Sequence, residues 1–264
     1  MDQMSTKEVY VHKINLNQEE IKELKEEVAV DEALCIFIND EYFTTLISSP
    51  SMIKEMAVGH LIGEGVIKSL DEINRLEVEP LKVYVELRRE LDLSIFMKNR
   101  ISLITTACGP PSVPLTAMQL DAIKVTSELS IEAESIWNMI TELNKRGVVY
   151  RKTGGTHSAM ICSVSGEEVA FSEDVGRHNA VDKVIGKAVL EGTDMGRCIL
   201  LCSGRQSSDI VLKAARCGIP ITASVTAPLE SSIRIAQATG VTMVCFVRGR
   251  RMNIYTHAKR IRVQ

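Results

Sequence analysis

Cys198-Ile-Leu-Leu-Cys202, followed at once by Ser203-Gly-Arg-Gln-Ser-Ser-Asp209, decides the fold of this 264-residue chain. A near-continuous apolar run of that length is what a strand buried on both faces requires. In the polar segment behind it, Gly204 lets backbone approach a ligand closely, and Arg205 adds a charged donor. Ser207 or Ser208 can cap a helix whose free N–H groups face an anion. The helix predicted from about Ser208 to Cys217 stops at Gly218, with Pro220 beyond it.

The same rhythm extends on both sides. Downstream, Ile221–Val225 reads as a strand, Ser231–Thr239 as a helix and Val241–Val247 as the last strand. Upstream, Ala180, Val181, Val184, Ile185, Ala188 and Val189 recur at the helical period, and Gly192 closes that helix. Trp137, Ile140, Leu143 and Asn144 predict a helix ending at Gly147, and Val148-Val-Tyr150 is expected to open a strand. Alternation of this kind implies parallel strands with helices over the sheet, and ligands bind outside the carboxyl ends of such strands. Those ends carry Ser203–Asp209, Thr226-Ala-Pro228 and Arg248-Gly-Arg-Arg251. Arg248, Arg250 and Arg251 offer donors suited to phosphate. Thr153-Gly-Gly-Thr-His157 and Glu173-Asp-Val-Gly-Arg-His178 add two histidines, an aspartate and an arginine on helix-start loops of the same sheet.

Residues 1–125 have a different texture, with short strand-like runs around one helix. Leu34–Ile38 and Phe43–Ile47 flank Asn39-Asp-Glu as a hairpin, and Val83–Leu87 is another strand. Ser49-Pro50 is expected to cap a helix that places Ile53, Met56, Ala57, His60 and Leu61 on one face and ends near Gly63 and Gly65. His60 reads as a packed, hydrogen-bonded histidine rather than a ligand. An N-terminal α+β domain over 1–125 and a C-terminal domain over 126–264 follow.

Composition sets outer bounds. A formal charge of −3 gives no bulk electrostatic reason to bind nucleic acid or membrane. No apolar stretch approaches the roughly 18 residues that span a bilayer, and the N-terminus has no secretory h-region. The seven cysteines, an odd number scattered through apolar runs, make no disulfide framework and suit a reducing cytoplasm. No C-x-x-C or H-x-x-x-H spacing suggests a metal site. Cys108 alone lies at a Gly109-Pro-Pro111 turn behind the apolar Ile101-Ser-Leu-Ile104. From spacing alone, an inert buried thiol remains the leading reading of a single Cys before Gly; a solvent-reaching thiolate is the other.

Four long motifs in order resemble one family. Thr153-Gly-Gly-Thr-His-Ser158, Glu173-Asp-Val-Gly-Arg-His-Asn-Ala-Val-Asp-Lys183, Ser203–Asp209 and Phe246-Val-Arg-Gly-Arg-Arg-Met-Asn253 look like the formate dehydrogenase accessory sulfurtransferases of the FdhD type, as does Gly59-His-Leu-Ile-Gly-Glu-Gly65. The resemblance implies an α/β chain whose C-terminal domain is a cytidine-deaminase-like three-layer sandwich beside a smaller α+β domain. It implies a cytoplasmic homodimer that takes sulfur from a cysteine desulfurase. That sulfur goes to the bis(molybdopterin guanine dinucleotide) form of the molybdenum or tungsten cofactor, used by the formate dehydrogenase catalytic subunit. Cys108 would carry the persulfide. The cofactor would be held by Phe246, Val247, Arg248, Gly249, Arg250 and Arg251, with Gly204, Arg205, Ser207, Thr153, Gly154, His157 and His178. Cys108 would sit at the mouth of the pocket these loops bound, in one chain or across a dimer interface.

The chain departs from the family where a Cys-Gly-x-Cys motif is usual, since it reads Cys108-Gly-Pro-Pro111. Sulfur transfer by one cysteine and a cofactor chaperone without transfer both remain open. A zinc deaminase is rejected: His157 is followed by Ser-Ala, and no Pro-Cys-x-x-Cys occurs.

Overall fold

Alternation of apolar and polar residues builds the first layer. The computed structural model describes residues 5–92, 120 and 122–263; Cys108 and the Gly-Pro-Pro turn expected after it lie outside them. Strands β3 (Glu32–Ile38), β4 (Glu41–Ser48), β5 (Ile73–Glu79) and β6 (Lys82–Leu87) form a sheet of order β4-β3-β6-β5. Asn39 and Asp40, at φ 49° and 65°, make the two-residue turn between β3 and β4, a conformation that their short polar side chains tolerate. Leu34, Ile36, Ile38, Val83 and Val85 bury their common face against helix α1 (Ile53–Gly63). That helix is buried from Met56 to Gly63 because its other side meets the second layer system.

Ser49-Pro50 does not cap α1. The N-cap is Met52, in the left-handed region at φ 53°, and Ser49 is consumed by tertiary contacts. The Ser49 amide donates to Asp174 (3.0 Å), its hydroxyl accepts from the Val175 amide (3.2 Å), and its carbonyl accepts from Lys183 Nζ (2.8 Å).

Beyond residue 125 come β7 (Ile131–Glu132), α2 (Ala133–Arg146), α3 (Val148–Thr153), β8 (His157–Ser163), β9 (Glu168–Asp174), α4 (Arg177–Leu190), β10 (Cys198–Cys202), α5 (Ser208–Arg216), β11 (Ile221–Ser224), α6 (Glu230–Thr239), β12 (Thr242–Arg248), β13 (Arg251–Ile254) and β14 (Ile261–Arg262). The main sheet has six strands in the order β13-β12-β11-β10-β8-β9. Ile136, Met139, Ile140 and Leu143 of α2 cover one face. On the other, α4 and α5 pack on β8, β9 and β10, while α6 and α5 pack on β12. The chain is therefore a mixed α/β protein, with a three-layer sandwich beside the smaller α+β layer.

Three expectations change. In the main sheet only β10, β11 and β12 run parallel; β8, β9 and β13 are antiparallel to their neighbours, and β12 is not the last strand. Val148–Tyr150 is helical, because the Glu173 carboxylate accepts the Val149 and Tyr150 amides at 2.9 and 2.8 Å and so caps a helix start. The first strands, β1 (Thr6–Asn15) and β2 (Glu20–Ala29), pair only with each other as an antiparallel ribbon that was not foreseen.

Candidate functional site

The register of the main sheet decides which loops meet. Cys202 lies level with Ala159 on β8 and with Ser224 on β11, and His157 lies level with Asp174. The start of β8 and the ends of β9, β10, β11 and β12 thus share one edge, where α4 and α5 begin. His157, Arg177, His178 and Ser203–Asp209 gather there, as the sequence predicts. The Ser203 amide donates to the Ser158 carbonyl and the Ser158 amide to Ser203 Oγ, both at 2.9 Å, which fixes the loop to β8.

Gly204 is required by a close approach. A Cβ there would lie 2.9 Å from Arg177 Cβ, so the loop rests on the first turn of α4. Its carbonyl accepts from Ser224 Oγ (2.7 Å), and Gln206 pairs through its backbone with Ala227 and Leu229. Arg205 is exposed at the crest. Ser207 occupies the N-cap of α5, yet its hydroxyl does not bond that helix; it meets His178 Nε2 at 3.0 Å.

Electrostatics keep both histidines neutral near pH 7. Burial pushes His178 down to about 4, with the Lys213 and Arg177 charges acting in the same direction and Asp209, 3.8 Å away, opposing them. Burial also lowers His157, helped by Arg177 and Arg205 and opposed by Asp174. Neutral imidazoles can accept a hydrogen bond from a thiol or hydroxyl, and the arginines supply the positive field. Beneath them, Lys213 holds Asp182 at 2.5 and 2.7 Å, and His60 Nδ1 meets the same carboxylate at 3.1 Å, as a packed histidine should. Burial opposes the Asp182 charge, but Lys213 and His60 outweigh it and hold its pKa below the usual range.

The remaining predicted residues divide. Thr153 and Gly154 close α3, where Thr153 Oγ1 donates to the Val149 carbonyl (2.8 Å) and Gly154 takes φ 67°. The neighbouring Lys152 pairs with Glu27 of the ribbon (3.0 Å), so this motif also docks β2. Gly249 and Arg250 form the two-residue turn between β12 and β13, at φ 57° and 55°, rather than an open strand end. Phe246, at φ 55°, makes a bulge whose amide donates to the Thr226 carbonyl (3.1 Å), while Val247 is buried. The three arginines do not converge. Arg248 lies over the Phe246 ring (5.4 Å), whereas Arg250 pairs with Glu134 (2.7 Å) and lies over Trp137 (4.9 Å). Arg248 and Arg251 are cross-strand neighbours.

Trp137, Lys145 and Arg151 were not foreseen. They form a cleft of about 580 Å³ with Ile140, Val247 and Arg248. The only sequence signals were that Trp137 is the sole tryptophan and that Arg151 directly precedes the Thr153 motif.

A mixed α/β sandwich with a donor-rich strand edge, two neutral histidines and a cationic cleft defines the class. The FdhD/NarQ family's sequence pattern matches residues 29–262, and the chain belongs to that family. It is 36% identical over 254 residues to a protein of Methanothermobacter thermautotrophicus named sulfur carrier protein FdhD, covering 92% of this chain and 94% of that one. It is 32% identical over 250 residues to the protein of that name from Bacillus subtilis, covering 93% and 94%. A crystal structure described as a formate dehydrogenase accessory protein, from Desulfotalea psychrophila, superposes with a TM-score of 0.79 at 25% identity, covering 98% of this chain and 100% of that one.

Proposed function

We propose that the chain is a sulfur carrier. In this reading Cys108 accepts sulfane sulfur from a cysteine desulfurase and passes it to the molybdenum or tungsten bis(molybdopterin guanine dinucleotide) cofactor, for use by the formate dehydrogenase catalytic subunit. The Cys108 thiolate attacks the terminal sulfur of the desulfurase persulfide; the new S–S bond forms on Cys108 and the desulfurase thiolate leaves, with no net oxidation. The protein works in the cytoplasm as a homodimer. The nucleotide end of the cofactor binds the edge carrying Arg205, Ser207, His157 and Phe246–Arg251.

The observation that carries this reading is the state of the other thiols. Burial pushes Cys162 and Cys217 up to about 12 and Cys202 to about 11, and raises Cys198 and Cys245 as well. Thiols so held are poor nucleophiles. Cys35 lies half-buried on the four-stranded sheet, its Sγ 3.4 Å from Thr45 Oγ1. Of the seven cysteines in the sequence, Cys108 is the one followed directly by Gly-Pro-Pro.

Incubation with a cysteine desulfurase and cysteine should add a labile mass of about 32 Da. The addition should vanish in Cys108→Ala and persist in Cys35→Ala. A cofactor chaperone is the second reading, favoured by Pro111 standing where the family usually has its second cysteine. It predicts that Cys108→Ala still supports formate dehydrogenase activity, which would defeat the carrier.

A further inference from the structure

The ribbon of β1 and β2 is left largely uncovered by the rest of the fold. Among the described residues each of its strands pairs only with the other, so both outer edges keep unpaired backbone donors and acceptors. A two-stranded ribbon by itself is marginally stable in water. This one is anchored at its base, where Lys152 meets Glu27 and Ala29 lies beside Gly155. Farther out, Tyr10, Ile14 and Ile21 are exposed.

The sequence of β2 shows what its free edge fits. Lys22-Glu-Leu-Lys-Glu26 is complementary in charge to its own reverse about Leu24. A second copy laid antiparallel on that edge, with Leu24 on the two-fold axis, sets Lys22 opposite Glu26 of the second copy and Glu23 opposite its Lys25. Symmetry repeats both, which makes four opposite-charge pairs. These side chains are 63%, 47%, 60% and 52% exposed, so each is free to reach across. Their present partners, Glu20, Lys13, His12 and Glu8, lie on the ribbon itself, and the second copy would extend the pairs into a network.

Apolar side chains agree with that register. Val11 lies level with Leu24, so Val11, Leu24 and the same two residues of the second copy form one row on one face. Lys22 lies level with Lys13 in the ribbon, and Glu26 of the second copy would flank it on its other side. Neighbouring registers fail. Centring on Glu23 or on Lys25 sets that residue against its own copy, with Glu20 against Glu26 in the first case and Glu23 against Glu27 in the second. The edge of β1 offers no equivalent: centred on Tyr10 it opposes Lys7 to Lys13, and centred on Val11 it opposes no opposite charges.

We propose that β2 is a self-association edge, through which two copies join their ribbons about Leu24 into a four-stranded sheet of order β1-β2-β2-β1. The inference rests on the homodimer proposed above and gives it a surface. Of the ribbon, only Ala29 falls within residues 29–262 that the family pattern matches, so the contact is built by the segment ahead of that stretch.

Light scattering and sedimentation of the full chain test it. Lys22→Glu with Lys25→Glu makes the edge acidic throughout, and Glu23→Lys with Glu26→Lys makes it basic throughout. Each variant alone should show a self-association Kd raised at least about tenfold, because four attractive pairs become repulsive. An equimolar mixture of the two should regain the wild-type mass. Leu24→Cys should give disulfide-linked pairs of chains under mild oxidation, since directly opposite Cβ atoms lie about 4.5–5.5 Å apart. Ile14→Cys should not, and the wild type oxidised alongside sets the level due to native thiols. Thermal melts of every variant check the fold. A wild type that self-associates, with neither charge set altering its mass and Leu24→Cys unlinked, would overturn the β2 contact and leave the homodimer standing. A wild type that stays single at the highest concentration measured would remove both. Charge reversal that leaves the mass unchanged but abolishes binding to the cysteine desulfurase would assign the edge to that partner instead.

Discussion

Gly59 and Gly186 face each other where α1 crosses α4. A Cβ on Gly59 would lie 1.8 Å from the Asp182 carbonyl oxygen, and one on Gly186 would lie 1.8 Å from that of Glu55. Neither obstacle is a flexible side chain, so the helices must separate if either residue gains a methyl group. Gly59→Ala and Gly186→Ala should each cost about 3 kcal/mol, the upper end of core overpacking, read as a lowered urea midpoint at unchanged slope. Gly63→Ala should cost less, because its nearest obstacle is the Lys213 side chain at 2.9 Å.

The Asp174–Lys183 pair is fully buried at 2.5 Å. Lys183→Met leaves an uncompensated carboxylate and should destabilise by about 3–5 kcal/mol. Adding Asp174→Asn should return part of that loss, because the amide oxygen can still accept from the Ser49 amide. A double-mutant cycle in urea measures the difference.

His178 gives the fold an acid-sensitive region. Its folded pKa, about 4, lies below the ordinary 6.5, so the unfolded chain binds the proton more readily. Stability from this group is complete above pH 6.5 and falls progressively as the pH drops toward 4. His178→Gln should flatten the melting-temperature profile across that window and leave it unchanged at pH 8.

The Glu173 carboxylate accepts the Val149 and Tyr150 amides and the Thr156 hydroxyl (3.0 Å). Glu173→Ala removes all three partners and should cost about 2 kcal/mol. Faster amide exchange confined to 148–153 would mark the loss as local.

Thiols at Cys162, Cys202 and Cys217 are held at about 11 to 12. In the native protein at pH 8 they should resist a disulfide exchange reagent for hours and react at once in urea. Rapid native labelling of Cys202 would contradict its burial beneath the Ser203–Asp209 loop.

Much of this is legible in the sequence. The apolar run Cys198–Cys202 and the period of Ala180–Val189 fixed strand and helix, because burial on both faces or on one stripe leaves a direct trace in composition. Val148–Tyr150 misled because three apolar residues carry no period, and the cap that makes them helical comes from Glu173, more than twenty residues away. The ribbon from Thr6 to Ala29 escaped because both of its faces mix charge with apolar residues such as Tyr10, Ile14 and Ile21, so no alternation survives. At the site, His157, His178 and Ser203–Ser207 announced themselves by motif. Trp137 and Arg151 belong to helices, and their meeting with Arg248 depends on how α2 lies against β12, which no local pattern encodes.

The Ser49 contacts carry a further consequence for how the molecule comes apart. A backbone amide, hydroxyl and carbonyl from the segment before α1 are all satisfied by Val175, Asp174 and Lys183 of the sandwich. Pulling the first layer away would strand a buried lysine and aspartate together and open the glycine crossing. The two halves should therefore melt in a single transition. Swapping one half for that of a relative succeeds only if both sides of the seam travel with it.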